Sequence, residues 1–233
     1  GLVEVPVQAL YGAQTQRALN NFAIGERVMP FALIRALAEI KSAAAKANAK
    51  LGGLGLDTSI AIQNAAAQVT AGKHLDEFPV SVYQTGSGTS TNMNMNEVLA
   101  SLASESLGRS VHPNDEINLG QSSNDVIPSA IQVATAKKIR TEVIPALDKL
   151  AARIERIAES NAAVIKTGRT HLMDAVPISI KQEFGTWAFQ IREHIDRFEG
   201  SLQRLCQLPI GGTAIGTGLN SHPEFAREVC SLL

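Results

Sequence analysis

The sequence predicts a mainly α-helical fold, and three observations support this class. Long stretches rich in Ala, Leu and Lys carry apolar residues at helical spacing. Short runs of β-branched residues are few, and neither an internal repeat nor a low-complexity segment is visible. With 233 residues and 45% hydrophobic content, the chain is long enough to bury a sizeable core.

The first half of the chain contains three predicted helices. Apolar periodicity predicts one helix from Phe31 to Leu51 and a second from Asp57, its expected N-cap, to about Lys73. A third helix is expected to begin near Thr91 or Asn92. It ends at Gly108, because a residue without a side chain suits a left-handed C-cap.

A fourth helical pattern runs from Ser123 to about Ser160 and contains two prolines. Pro128 is tolerable in the first turn, whereas Pro145 lies where it must kink or divide the helix. We therefore expect either two coaxial pieces or one bent helix in this part of the chain.

The fifth pattern, Pro177 to Gln207, is longer than an ordinary globular helix. Its Gly185 and Gly200 each cost roughly 1 kcal/mol relative to alanine, which suggests close helix packing. A helix of this length buries itself against partners, so we expect a bundle that other copies of the chain complete.

The sequence further predicts two domains and a chain that continues. A helix starts after Ser221, with a proline in its first turn, and the pattern is still open at Leu233. We therefore expect a fragment of a longer protein. Residues 1–118 would form an N-terminal helical domain, and residues 119–233 the first part of a central bundle of long helices.

Composition excludes several functional classes. A net charge of -1 and a pI near 6.6 argue against nucleic-acid and anionic-membrane partners, since no basic run is present. The two cysteines lack CxxC spacing, so neither a disulfide framework nor a metal site is expected, and a cytoplasmic location fits. No apolar run approaches the ~20 residues that span a bilayer, and no signal peptide is visible at the start.

Three loops rich in hydroxyl and amide side chains carry the candidate chemistry: Thr85–Asn96, His112–Asp125 and Lys166–Pro177. The first two lead into predicted helix starts, where unpaired backbone N–H groups and the helix dipole favour an anion. Uncharged donors in these loops would suit a carboxylate. The candidate ligand-binding residues are Ser87, Thr89, Ser122, Ser123 and Asn124.

Each of these residues also has a structural interpretation. Ser87, Thr89, Ser122 and Asn124 would serve equally as helix caps, and His112 before a proline would suit a turn. Arg169 fits a structural ion pair as well as a ligand clamp. His171 stands out, because it lies in a polar loop beside Thr170 rather than on an apolar helical face.

Together the loops resemble those of the class II fumarase branch of the fumarase/aspartase superfamily. The similarity runs from Gly1–Pro6 and Leu10–Arg17 to Leu208–Asn220, so it covers essentially the whole chain. Within the superfamily, the run Thr170-His-Leu-Met-Asp-Ala is like fumarases, whereas aspartases typically have Gln after the Thr.

The resemblance implies a cofactor-free lyase of the tricarboxylic acid cycle that hydrates fumarate to L-malate. It implies contacts to the dicarboxylate substrate from the five candidate residues and from Thr170, with His171 acting on the water. A second carboxylate site is implied at Arg109, His112, Asn114 and Asp115. It also implies a homotetramer with active sites shared between subunits.

The chain departs from the family in what it lacks. The family's later Gly-Ser-Ser loop, whose serine is thought to be the base, and its substrate-clamping Lys-x-Asn have no counterpart here. We therefore expect the fragment alone to be inactive. Two alternatives stay open: an aspartase-like ammonia lyase, and a catalytically incompetent module for oligomerisation or dicarboxylate binding.

Overall fold

Helices dominate the computed structural model, which describes residues 2–233 and confirms the mainly α class. A single antiparallel hairpin is the only sheet in this described part of the chain. The helices are Ala13–Asn21 (α1), Phe31–Lys50 (α2), Leu56–Thr70 (α3), Thr89–Leu107 (α4), Ser123–Lys138 (α5), Ile144–Ser160 (α6), Ile180–Leu205 (α7) and Phe225–Leu232 (α8). The strands are Ile165–Thr170 (β1) and Met173–Ser179 (β2).

The chain divides into two compact units. The first unit runs up to Ala134 and also includes Leu208–Leu233, and the second comprises Thr135–Gln207. The domain boundary between residues 118 and 119 stays a prediction, because it concerns the organisation of the longer protein.

The core of the first unit lies between α2, α3 and α4. Leu37, Ile62 and Leu99, one from each helix, have no solvent-accessible surface, and each such side chain contributes about 1.5–3 kcal/mol on burial. Alanines line much of α2, which lets neighbouring helices approach closely. Phe225 and Val229 of α8 belong to the same core.

The predicted boundaries of the first helices are nearly right. α2 begins at Phe31 as expected, but α4 begins at Thr89, two residues before Thr91, after Gly88 in a left-handed conformation. Gly108 is the left-handed C-cap of α4, with φ 65°. Asp57 lies inside the first turn of α3 rather than capping it, because α3 begins one residue earlier.

The fourth predicted segment is divided close to Pro145, as its sequence indicates. α5 and α6 are joined by a wider π-helical turn, Ile139–Val143. Proline lacks an amide hydrogen and its ring crowds the carbonyl four residues earlier, and a π turn relieves both problems without ending the helix. α8, in contrast, begins at Phe225 rather than directly after Ser221.

The loop predicted between Lys166 and Pro177 is a β-hairpin, which corrects the expectation of an irregular turn. Its tip residues, His171 and Leu172, have φ of 51° and 61°. A two-residue loop with both φ positive matches the twist of antiparallel strands. Pro177 therefore lies in β2 and does not open α7.

Helix α7 begins at Ile180 behind a complete capping box. The Ser179 hydroxyl accepts from the Gln182 amide, and the Gln182 side chain accepts from the Ser179 amide. This pair fixes the start of the helix three residues after Pro177.

The second unit is held by the antiparallel pair α6 and α7. Arg192 pairs with both Asp148 and Glu155, and its hydrogen bond holds the pKa of the Glu155 carboxyl below its usual range. A Cβ added at Gly185 or Gly200 would meet no atom within 4 Å, so the close packing expected at these glycines is absent from the described residues.

Candidate functional site

Three hydroxyls link the starts of α4 and α5 in the first unit. The Oγ of Ser87 lies 2.8 Å from Thr89 Oγ1, and Thr89 Oγ1 lies 2.8 Å from the Oγ of Ser123. Two hydrogen bonds among three hydroxyls use two of their three protons. One O–H donor of this chain is therefore available to an acceptor from outside, such as a carboxylate.

The neighbouring residues Ser122 and Asn124 have structural contacts of their own. The Ser122 Oγ accepts from the Asn124 amide at 3.3 Å, and Asn124 Nδ2 donates to the Ala214 carbonyl at 2.8 Å. The capping interpretation of Ser122 thus has a basis in its contacts. An amide nitrogen carries two protons, so Asn124 keeps one donor for a ligand.

Asp125 holds this loop in place through hydrogen bonds to its carboxylate. The sequence analysis did not identify this residue as a candidate. Its buried carboxylate accepts from the Ser122 amide through Oδ1, at 2.9 Å. Its Oδ2 accepts from the amides of Gly211 and Thr213, both at 2.9 Å. The start of α5 and the glycine-rich loop Gly211–Gly218 are therefore held by one carboxylate. The sequence signal for this role was an acidic residue in the first turn of a predicted helix.

A second buried charge, Lys41 of α2, lies behind the same loop. Its Nζ donates to Asn118 Oδ1 at 2.8 Å and to Gln121 Oε1 at 3.0 Å. Burial lowers the pKa of Lys41 to about 7, while the Asp125 charge acts in the opposite direction. The sequence carried one signal for it, a lysine inside an alanine-rich apolar pattern.

Arg109 and His112 of the predicted second carboxylate site already have hydrogen-bond partners within the chain. Arg109 donates to Glu116 at 3.1 Å and to Thr58 Oγ1, so its guanidinium already has an anionic partner. His112 Nδ1 lies 3.1 Å from both the Asp115 amide and the Asp115 carboxylate. One nitrogen cannot accept from the amide and donate to the carboxylate at the same time.

A groove of about 430 Å³ is lined by residues of the loop before α5 and by residues of the predicted second carboxylate site. It is lined among others by Asn114, Asp115, Asn118, Ser122, Thr213 and Asn220. The Oγ1 of Thr213 is buried there without a hydrogen-bond partner. The groove therefore offers uncharged donors on one side and an acidic residue on the other.

Thr170 and His171 belong to the second unit, where they form the tip of the hairpin. Both side chains are exposed, and Thr170 pairs with Met173 across the strands. Arg169 Nε lies 3.2 Å from Asp174 Oδ1, which is a contact of the structural kind. His171 is thus presented on a rigid turn with its ring free of such an ion pair in the described residues.

Within residues 2–233, which the structure describes, neither a metal-binding cluster nor a membrane-spanning helix is found. These residues contain no group of three or more His, Cys, Asp or Glu side chains arranged to hold a metal ion. None of their helices combines the length and apolar character that crossing a membrane requires.

Comparisons with known proteins agree with the resemblance seen in the loops. A family model described as "Lyase" matches residues 1–233. The chain is 51% identical over 233 residues to a protein named fumarate hydratase class II from Xylella fastidiosa, and 52% identical over 237 residues to one from Nitrosomonas europaea. The crystal structure of a class II fumarase from Schistosoma mansoni superimposes with a TM-score of 0.95 at 44% identity, covering 99% of this chain.

The matches cover nearly all of this chain but only part of each relative. They include 100% and 99% of this chain but only 49% and 51% of the two curated relatives. The same holds for the solved structure, of which 50% is covered. The chain therefore spans about half the length of the proteins it matches.

Proposed function

The chain belongs to the lyase family whose model spans it, and from that premise we propose that the intact protein is a class II fumarate hydratase. It would add water to fumarate to form L-malate and catalyse the reverse elimination. The observation that carries this proposal is the hydroxyl chain at the start of α5, which joins Ser87, Thr89 and Ser123.

The hydroxyl chain and the helix start together suit a carboxylate that becomes more negative during the reaction. Elimination of water from malate removes a proton from a carbon next to a carboxylate, and the resulting charge spreads into that carboxylate. Preorganised donors that are stronger towards this state than towards the substrate lower the barrier. Ser123 and Asn124, at the N-terminus of α5, are such donors in this proposal.

His171 is proposed to act on the water, with Thr170 as a substrate contact. In hydration, its neutral imidazole accepts a proton from water as the water oxygen bonds to one alkene carbon. The electron pair moves to the neighbouring carbon and its carboxylate, and a general acid then protonates that carbon. The exposed hairpin tip leaves the ring accessible for this role.

The second carboxylate site, at Arg109, His112, Asn114 and Asp115, remains part of the proposal. The groove beside Asn114 supports it, since its volume of about 430 Å³ accommodates a small dicarboxylate. The Glu116 carboxylate beside Arg109 weakens the attraction, so this site is proposed to bind less tightly than the hydroxyl chain.

Assembly and compartment are proposed on separate grounds. Trp187 and Phe189 of α7 are 46% and 63% exposed, and large apolar side chains of this kind mark a protein interface. A homotetramer in which copies cover α7 and share active sites is proposed on this basis. Both cysteines, Cys206 and Cys230, are free, which supports a cytoplasmic setting. A place in the tricarboxylic acid cycle is proposed from the interconversion of fumarate and L-malate alone.

The test is the ultraviolet absorbance of fumarate when the intact protein meets L-malate. The proposal predicts a rise towards an equilibrium that the same protein reaches from fumarate. A parallel assay with L-aspartate and detection of ammonia separates the ammonia-lyase alternative. Ammonia release without malate dehydration would replace the proposal, and dicarboxylate binding without either reaction would favour a binding module.

A further inference from the structure

Lys41 occupies an unusual place for a charged side chain. Its side chain has no solvent-accessible surface. It lies in the middle of α2, a helix that is rich in alanine. Burying an ammonium group is costly unless hydrogen bonds and opposing charge compensate, and an apolar side chain of similar length would avoid the cost. We propose that Lys41 is a positioning residue that holds the Asn118–Gln121 turn and, through it, the Ser122–Asn124 loop.

The turn is built around the lysine. Gln121 N donates to the Asn118 carbonyl at 3.0 Å, and Asn118 Nδ2 donates back to the Gln121 carbonyl at 3.1 Å. Asn48 of α2 donates to the Leu119 carbonyl at 2.9 Å. Asn48 lies seven residues after Lys41, on the same face of the helix, so one face of α2 holds the turn at two points.

A cluster of amides fixes the orientation of Asn118. Its Oδ1 accepts from Lys41 Nζ at 2.8 Å, from Asn92 Nδ2 at 3.1 Å and from Asn96 Nδ2 at 3.3 Å. The Oδ1 atoms of Asn92 and Asn96 are buried without a partner. Loss of the ammonium group removes the hydrogen bond that Lys41 donates to Gln121 Oε1, and this acceptor then needs another donor or water.

The Asn118–Gln121 turn is covalently continuous with the proposed substrate loop, Ser122–Asn124, so a shift of the turn moves the loop. Gln121 precedes Ser122, and the Ser122 amide is held in turn by Asp125 Oδ1. The loop is therefore fastened on one side through Gln121 to Lys41 and on the other side to Asp125. Without Lys41, the Gln121 side chain keeps only the hydrogen bonds from its Nε2 to the Ile117 and Leu119 carbonyls, so the loop loses one of its supports.

Charge gives Lys41 a second effect on the same loop. Asp125 places a buried carboxylate next to donors that are proposed to hold a dicarboxylate, and two anions repel at short range. Burial lowers the pKa of Lys41 to about 7, and the Asp125 charge acts in the opposite direction. In its protonated form, Lys41 offsets part of the Asp125 charge that would otherwise disfavour the ligand.

The test rests on the proposed function and compares kcat and KM for L-malate in the intact protein. Lys41→Met removes the ammonium group at nearly constant shape, and Lys46→Met makes the same change at an exposed position of α2. We expect kcat/KM to fall roughly 10- to 100-fold in Lys41→Met and to stay within about twofold in Lys46→Met. Gln121→Met should cause a similar loss, and the double variant should lose no more than the larger single one.

The outcomes separate the two proposals. An inactive wild type would overturn the proposed function and this inference with it. An active wild type with an unimpaired, folded Lys41→Met variant would overturn this inference alone. Additive losses in the double variant would contradict an action through Gln121. If Lys41→Met does not fold by circular dichroism, Gln121→Met decides, since unchanged kcat/KM in that variant would overturn the inference.

Discussion

At the scale of single residues, the hydroxyl of Ser123 is the most important proposed donor to the substrate carboxylate. It ends the three-hydroxyl chain and is the first residue of α5. Ser123→Ala should lower kcat/KM for L-malate about 10- to 100-fold, which corresponds to the roughly 1.5–3 kcal/mol of a hydrogen bond to a charged group. Steady-state rates of fumarate formation measure this loss.

The matched control for this change is Ser201→Ala. Ser201 is an exposed serine of α7 whose hydroxyl donates to the Arg197 carbonyl, so its removal should leave kcat/KM unchanged. Equal rates for Ser123→Ala and wild type would return Ser123 to a capping role.

His171 carries the second prediction at this scale. His171→Asn keeps a polar side chain that tolerates the positive φ of the hairpin tip but removes the group that exchanges a proton. Hydration should fall about 10²- to 10⁴-fold while the oligomeric state stays the same. His74→Asn, which changes another histidine with a positive φ, is the control, and chromatography with light scattering reports assembly. An unreduced rate in His171→Asn would remove this residue from the mechanism.

Sequence patterns located the hydroxyls of the site better than its buried charges. Ser87, Thr89 and Ser123 were identifiable because they precede helix starts, and helix starts are local features. Lys41 and Asp125 act across 80 or more residues, through partners such as Gln121 and Thr213. Contacts at that separation depend on the tertiary fold, so no local pattern announces them.

At the scale of elements, the entry into α4 depends on a glycine. Gly88 has φ 68°, and a Cβ there would lie 2.9 Å from Ile127 Cγ2. Gly88→Ala should therefore lower the free energy of unfolding by about 1–3 kcal/mol, from backbone strain and crowding together. Urea denaturation followed by circular dichroism measures the change.

Gly86→Ala provides the control in the same loop. A Cβ at Gly86 meets no atom within 4 Å, so this substitution should change the free energy of unfolding by less than about 1 kcal/mol. Comparable destabilisation in both variants would contradict the steric explanation.

Helices with strong apolar periodicity were predicted correctly from the sequence, whereas the short hairpin was not. The α2 and α4 patterns are long and apolar, and their helices lie close to the predicted bounds. The hairpin around His171 was missed because Lys166, Gly168 and Arg169 interrupt the β-branched residues of β1, and because its tip, His-Leu, is not a typical turn pair. Pro177, a familiar first residue of helices, is instead paired with Thr167 across the hairpin.

At the scale of the whole molecule, Lys41 makes stability depend on pH. Its pKa is lowered from 10.5 to about 7 in the folded state, so between these values the unfolded chain binds more protons. The free energy of unfolding contributed by this group therefore rises as pH increases from 7 towards 10.5, by up to a few kcal/mol. Lys41→Met removes this contribution.

Urea denaturation at pH 7 and pH 9.5 measures the effect. The difference in unfolding free energy between wild type and Lys41→Met should shift in favour of wild type at the higher pH, because other titrating groups cancel between the two proteins. Lys46→Met should track the wild type. A difference that stays constant with pH would show that Lys41 keeps its ordinary pKa.

The fold class of the whole molecule follows from its sequence, whereas its completeness as an enzyme does not. Helical periodicity and three polar loops were sufficient for the class and for the family resemblance. The second unit, however, buries few large apolar side chains, and Trp187 and Phe189 remain exposed. No pattern within this chain predicts a cover for them, and the relatives are about twice as long.

A crystal structure of the intact protein with L-malate bound tests the proposed function most directly. We expect a substrate carboxylate within hydrogen-bonding distance of Ser123 Oγ and near the N-terminus of α5. Malate bound only elsewhere, with the Ser87, Thr89 and Ser123 hydroxyl chain undisturbed, would contradict it.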